Sequence, residues 1–216
     1  MKIFSEILGY LGIGSACLPI SILLYMYAKG IGKLQDRLFY LLSIEYFLIN
    51  LLTLLVYLSK MYSYQEYFFG FHYFFENLLL MFLLFNYSVS RRKIFIISLS
   101  YLFSFIYCFL LYYQNVFEFN KYIAIISNIS LVIMSTNYII LNFNENNSSK
   151  IFKDGIMIII LGVLFFNAIQ VYFSLFETFI RDKDGVIFFY LWPIFQISGI
   201  IYYIIFSIGL WKLRRL

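Results

Sequence analysis

Long apolar runs alternate with short polar breaks along the whole chain. Stretches without Lys, Arg or Asp cover Phe4–Ala28, Leu38–Leu58, Tyr67–Tyr87, Ile94–Tyr113, Tyr122–Asn142, Gly155–Phe176 and Ile187–Trp211. Each has roughly the 20 residues a helix needs to cross about 30 Å of hydrocarbon. In lipid a helix satisfies its backbone hydrogen bonds within the segment, so apolar runs of this length predict spanning helices rather than strands. The pattern therefore predicts seven transmembrane helices. The polar clusters NFNENNSSK (Asn142–Lys150) and RDKDG (Arg181–Gly185) predict connections between them. All the connections are short, and no Pro- or Ser-rich linker or internal repeat divides the chain. One domain over residues 1–216 is expected.

Composition agrees with this pattern. The chain is 63% hydrophobic and 12% charged, against about 25% charged residues in soluble domains. The fold class expected is all-α, a polytopic membrane protein in the bacterial inner (cytoplasmic) membrane, with the lipid bilayer as its first partner. Phe, Tyr, Ile, Asn and Lys are abundant, while Ala stands only at Ala16, Ala28, Ala124 and Ala168. That balance fits an AT-rich bacterial genome, so the number of aromatic residues is not evidence for an aromatic ligand site.

Charge asymmetry between alternate loops sets the expected orientation. Lys29, Lys33, Arg37, Arg91, Arg92, Lys93, Lys150, Lys153, Lys212, Arg214 and Arg215 fall on one side, eleven in all, and Lys2, Lys60, Lys121, Arg181 and Lys183 make five on the other. The richer side is expected to be cytoplasmic, placing the N-terminus outside and the C-terminus in the cytoplasm. The net charge of +5 then lies mostly in cytoplasmic loops facing anionic headgroups. No basic patch is interleaved on a soluble surface, so no nucleic-acid partner is expected.

Several short patterns carry no chemistry. GIGSAC (Gly12–Cys17) has Gly14 where a lipoprotein signal wants a Leu-like residue, and the sequence stays apolar after Cys17. It reads as a first membrane helix with small residues at packing spacing. Cys17 and Cys108 both fall inside spans and read as apolar fillers. GIGK (Gly30–Lys33) lacks the spacing and the following Ser or Thr of a phosphate loop. A retinal-type lysine in the last span is missing, since Lys212 stands at its very end. One histidine, with Asp36, Asp154, Asp182 and Asp184 in loops or at helix ends, does not furnish a zinc site. A serine nucleophile such as Ser15 with His72 finds no support beyond residue type. No cofactor, metal site or catalytic residue is assigned.

The polar residues inside the spans remain. Glu45 and Glu76 are the deeply placed formal charges, and a charged carboxylate at mid-helix costs at least about 2.5–3.5 kcal/mol unless it faces the bundle interior or a wet cavity. Counting about 1.5 Å per residue from the cytoplasmic end of each helix puts Glu76, Asn77, Asn50, Ser104, Asn128, Asn167, Gln170 and Gln196 in one central layer. On the same count Glu45 lies a few ångströms nearer the cytoplasm, and His72 one turn beyond Glu76 toward the outside. His72 and Glu76, at i and i+4, are expected to share a proton or form an ion pair and to titrate as a coupled unit. The candidate ligand-binding set is His72, Glu76, Asn77, Glu45, Asn50, Asn167, Gln170 and Gln196. For the amides the competing reading is helix packing, with hydrogen bonds worth about 0.6 kcal/mol each.

FHYFFENLLLMFLLF, GIMIIILGVLFFNAIQVYF and the ending YLWPIFQISGIIYYIIFSIGLWK resemble a group of short, uncharacterised bacterial seven-helix membrane proteins, similar to the membrane sensor regions found with histidine kinases. His72, Tyr73 and Glu76 match the histidine, aromatic and glutamate of that group's third helix, and Trp211 with Lys212 its closing aromatic–lysine stop. The resemblance implies an integral membrane sensor or accessory subunit of a signalling system with a polar intramembrane cavity. Its output would leave through a membrane or cytoplasmic protein partner, since the loops are too short for a soluble domain. Two other classes stay open. Small sugar transporters share the helix number and length but carry prolines in repeated helices, whereas here Pro19 and Pro193 stand alone. An intramembrane lipid hydrolase would use Glu76 and Glu45 as acid and base.

Overall fold

The computed structural model describes residues 2–29, 37–59, 65–87, 91–112, 115–145, 154–183 and 185–213. Among them are seven helices: α1 (Lys2–Ala28), α2 (Arg37–Ser59), α3 (Gln65–Tyr87), α4 (Arg91–Tyr112), α5 (Val116–Glu145), α6 (Gly155–Lys183) and α7 (Gly185–Leu213). Five of these hold segments long and apolar enough to cross a membrane: Ile7–Ala28, Leu38–Val56, Phe119–Asn142, Gly155–Phe176 and Leu191–Leu213. In α4 the apolar segment is the shorter Phe95–Leu110, and α3 carries His72 and Glu76.

Several helices outrun their apolar stretches. The first four residues of NFNENNSSK are helical to Glu145, and Arg181–Lys183 continue α6. Charge ends a membrane span, whereas a helix continues while its backbone bonds are made and no breaker intervenes. Residues 146–150 and Asp184 lie outside the described residues. At the start of α6, Asp154 accepts a hydrogen bond from the backbone N–H of Ile156 at 2.9 Å. That is the work of an N-cap aspartate on a helix-end donor that has no partner within the helix.

The helices pack as a closed ring in the order α1, α2, α3, α5, α6, α7 and back to α1, while α4 lies outside against α3 and α5. The α6–α7 seam is close because it is built on glycine. A Cβ placed on Gly209 would come 2.8 Å from the Gly155 carbonyl oxygen, and one on Gly162 would come 2.8 Å from Cγ2 of Ile205. Small residues let membrane helices approach backbone to backbone, where dispersion and not the hydrophobic effect holds them. The core of the ring is filled by Leu42, Tyr46, Leu80, Leu84, Tyr202 and Phe206 with their neighbours. Around the outside, Leu24, Leu55, Phe103, Leu110, Ile140 and Tyr172 are more than half exposed. An apolar belt of this kind suits hydrocarbon and is costly in water.

Candidate functional site

Two consecutive residues of α3 open two polar junctions. About 100° of helical rotation separates neighbouring side chains, so Glu76 turns toward α2 and α7 while Asn77 turns toward α5. Both are buried.

On the first side, His72 stands between two carboxylates. Its Nδ1 lies 2.5 Å from Oε1 of Glu45 on α2, and its Nε2 lies 3.6 Å from Oε2 of Glu76 on α3. The side chains of His72, Glu45 and Glu76 are 14%, 17% and 9% exposed. The Tyr46 hydroxyl lies beside the Glu76 carboxylate, and the hydroxyls of Tyr46 and Tyr202 hydrogen-bond to each other. A tyrosine has one O–H to give. If Tyr46 spends its proton on the carboxylate, Tyr202 is the donor to Tyr46, and the three groups form a one-way chain from α7 through α2 to α3. One turn along α2, Asn50 donates from Nδ2 to its own Tyr46 carbonyl at 2.8 Å and to the Tyr203 hydroxyl at 3.1 Å.

Aromatic packing fixes this arrangement. The Tyr46 ring meets Tyr202, Tyr203 and Phe206 edge-on at 5.7, 5.4 and 5.6 Å. Phe166 of α6 stacks on Tyr202 at 4.8 Å. Edge-to-face contacts of this kind add about 0.5–1.5 kcal/mol beyond burial and hold the hydroxyls in place.

On the second side the groups are neutral. Asn77 donates from Nδ2 to the Ser127 carbonyl at 2.8 Å, and the Tyr101 hydroxyl of α4 pairs with Oγ of Ser127 at 3.0 Å. Phe74 against Phe105, 4.0 Å between ring centres, completes the seam between α3 and α4.

The expected site residues thus separate. His72, Glu76 and Glu45 form one cluster, with Asn50 beside it through Tyr203. Asn77 serves the α5 junction. Asn167 turns its amide back to the Val163 carbonyl at 2.8 Å, and Gln170 is buried on the same helix. The Gln196 amide lies against α1, since a Cβ on Gly9 would be 3.6 Å from its Nε2. Ser104 points outward and bonds its own Ser100 carbonyl. Glu45 departs from the expected order of depths: its carboxylate meets His72, which that count placed well apart from it. The depth count assumed helices with level ends. Counting about 1.5 Å per residue, Glu45 is about 12 Å from the start of α2 and His72 about 22 Å from the end of α3. Their contact therefore requires the two helices to be staggered or tilted. Tyr46, Tyr202 and Tyr203 are the participants the sequence did not single out.

The ring nitrogens of His72 face two different carboxylates, so nitrogen and oxygen ligands do not converge on one point. No group of three or more His, Cys, Asp or Glu among the described residues could hold a metal ion. Cys17 and Cys108 are free. What the cluster offers is a proton site. An imidazolium can serve both carboxylates, and the cluster then carries one net negative charge. Uptake of one more proton by the cluster removes that net charge. In surroundings of low polarity such a change is costly or favourable by far more than it would be in water.

No family model, curated protein or solved structure matches the chain. What fold and site define is a class: an all-helical bundle, with five helices long and apolar enough to span a membrane, that buries a carboxylate–imidazole–carboxylate cluster beside a tyrosine hydroxyl pair.

Proposed function

We propose that the chain is a seven-span bacterial inner-membrane protein, N-terminus outside and C-terminus in the cytoplasm, that works as a sensor or accessory subunit through proton binding at Glu45, His72 and Glu76. The observation that carries this reading is the bridging of both intramembrane carboxylates by the chain's single histidine. Intramembrane ionisable groups are costly and are found where an ion path, relay or counter-ion needs them. The remaining two spans are supported by length: 23 residues of α3 and 22 of α4 rise about 35 and 33 Å. The sensor role follows the resemblance carried by His72, Tyr73, Glu76, Trp211 and Lys212, and it implies a protein partner that receives the signal.

Infrared difference spectra of the purified chain across a pH titration test the site. A band from a protonated carboxylic acid is expected to appear on acidification and to be lost or displaced in Glu76→Gln, with the in-cell response to acidification lost as well. A Glu76→Gln variant with unchanged response and raised thermal stability overturns the assignment. Topology is checked by reporter fusions: those after Arg92 and Lys150 should read cytoplasmic, and one after Lys121 external. A proton-coupled solute transporter is the second reading, because the cluster draws side chains from α2, α3 and α7 inside a closed ring. Proton movement that requires an added solute in proteoliposomes would favour it.

A further inference from the structure

Three serines break a habit of this chain. Ser21, Ser100, Ser130 and Ser198 each donate their hydroxyl to a carbonyl one turn back on their own helix, at 2.6–2.9 Å. Such back-bonding is how a mid-helix serine ordinarily satisfies its hydroxyl in an apolar setting. Ser43, Ser135 and Ser207 do otherwise: their Oγ atoms are buried and have no hydrogen-bond partner among the described residues. These residues are 0%, 0% and 5% exposed. A buried hydroxyl without a partner costs about 1–3 kcal/mol. Three of them turned away from an available carbonyl call for a ligand that both gives and accepts hydrogen bonds, and bound water is the usual one.

Their positions point the same way. Residues 39, 43 and 46 share a face of α2. The Phe206 ring of α7 meets Phe39 at 6.5 Å and Tyr46 at 5.6 Å, so Ser43 lies between those two contacts and opposite the stretch that carries Ser207. Ser135 sits on the face of α5 that puts Leu131, Met134 and Tyr138 into the same core. Ser43 is six residues from the start of α2 and Ser207 six from the end of α7, or about 9 Å of helix in each case. Those ends share one face of the bundle with the end of α1, since Tyr25 and Trp211 are in ring contact at 5.8 Å. On the other side Tyr46, a turn from Ser43, already bonds Tyr202 and lies beside Glu76.

We propose that Ser43, Ser135 and Ser207 hold bound water in the bundle core. This water links the Tyr46–Tyr202 hydroxyl pair to the face where α1 and α7 end and α2 begins, and gives the Glu45–His72–Glu76 cluster proton access from that face. The groups that bear on the cluster's titration are Glu45 and Tyr46 from α2, Tyr73 from α3, Tyr101 from α4, and Tyr202 and Tyr203 from α7. Proton access rests on the reading of the cluster as a proton site, whereas the bound water does not.

Two measurements separate the claims. A structure of the full chain in lipid nanodiscs, at a resolution that shows ordered water, should place water within hydrogen-bonding distance of Oγ of Ser43 and Ser207. Hydroxyls turned back onto their own helices, with no water beside them, would overturn the proposal. In proteoliposomes, a pH jump should reach the carboxylic-acid infrared band at least tenfold more slowly in the Ser43→Ala, Ser207→Ala double variant than in wild type, with the final amplitude unchanged. An unchanged rate refutes the proton path. A band that never responds to pH, with the water in place, refutes the proton role of the cluster and the access with it.

Discussion

Glu76 and Asn77 are neighbours in sequence and almost equally buried, yet the junctions they make follow different physics. Where α3 and α4 meet α5 every bond named is neutral: an amide to a carbonyl and a phenol to a serine. Such bonds join membrane helices for little net energy, because an unfolded chain in the membrane finds other partners. At the α2–α3–α7 junction two carboxylates share one imidazole and a hydroxyl chain. Here the imidazole offsets charge that would otherwise sit in an apolar core, so removing it strands both carboxylates. Burial alone therefore does not separate helix packing from function. The charge left behind when a partner goes does.

That difference orders the consequences of mutation. His72→Ala takes the shared imidazole from both glutamates and should cost on the order of 3 kcal/mol, read as a large fall in thermal unfolding temperature in detergent. A loss no greater than that of a neutral variant would mean that the cluster is already solvated, and the contrast between the junctions would vanish. Next come the two carboxylates. Glu45 lies 2.5 Å from the ring and Glu76 3.6 Å. Glu45→Gln should remove a charge-assisted hydrogen bond worth about 1.5–3 kcal/mol. Glu76→Gln leaves a balanced one-to-one pair of Glu45 with His72 and should change stability little while removing the proton response. Equal losses from the two substitutions would break this ordering.

The sequence made the helices legible because in lipid the backbone must be satisfied within each segment, so apolar length alone predicts a helix. Charge clusters at Asn142–Lys150 and Arg181–Gly185 marked the ends of apolar stretches but not the ends of α5 and α6. His72 and Glu76 were legible as a pair because i,i+4 spacing is a local relation. Glu45 was legible as costly but not as the closer partner, since its level relative to His72 depends on how α2 and α3 are staggered, which no local pattern encodes. Tyr46, Tyr202 and Tyr203 were hidden among 21 tyrosines. What distinguishes them is a facing helix, and in a single sequence the nearest hint was Tyr46 standing between Glu45 and Asn50.

Asn77→Ala should cost about 0.6 kcal/mol and at most about 1.7, the range for hydrogen bonds between membrane helices. The smallest effect expected is that of Tyr101→Phe, which becomes informative beside Tyr46→Phe. The two tyrosines are 1% and 0% exposed, and the substitution deletes the same atom from each. Without the Tyr101 hydroxyl, Ser127 loses its 3.0 Å partner but can turn back to its own helix, as Ser130 does at 2.7 Å. The cost should therefore be about 0.6 kcal/mol or less. Without the Tyr46 hydroxyl, Tyr202 loses its partner and the Glu76 carboxylate loses a neighbouring hydroxyl that no helix carbonyl can replace, because a carboxylate cannot donate. About 1.5–3 kcal/mol is expected there. Paired unfolding measurements of the two variants in one detergent cancel the shared loss of hydroxyl volume. A difference near zero would show that charge at the α2–α3–α7 junction adds nothing to what neutral hydrogen bonds already supply at the other.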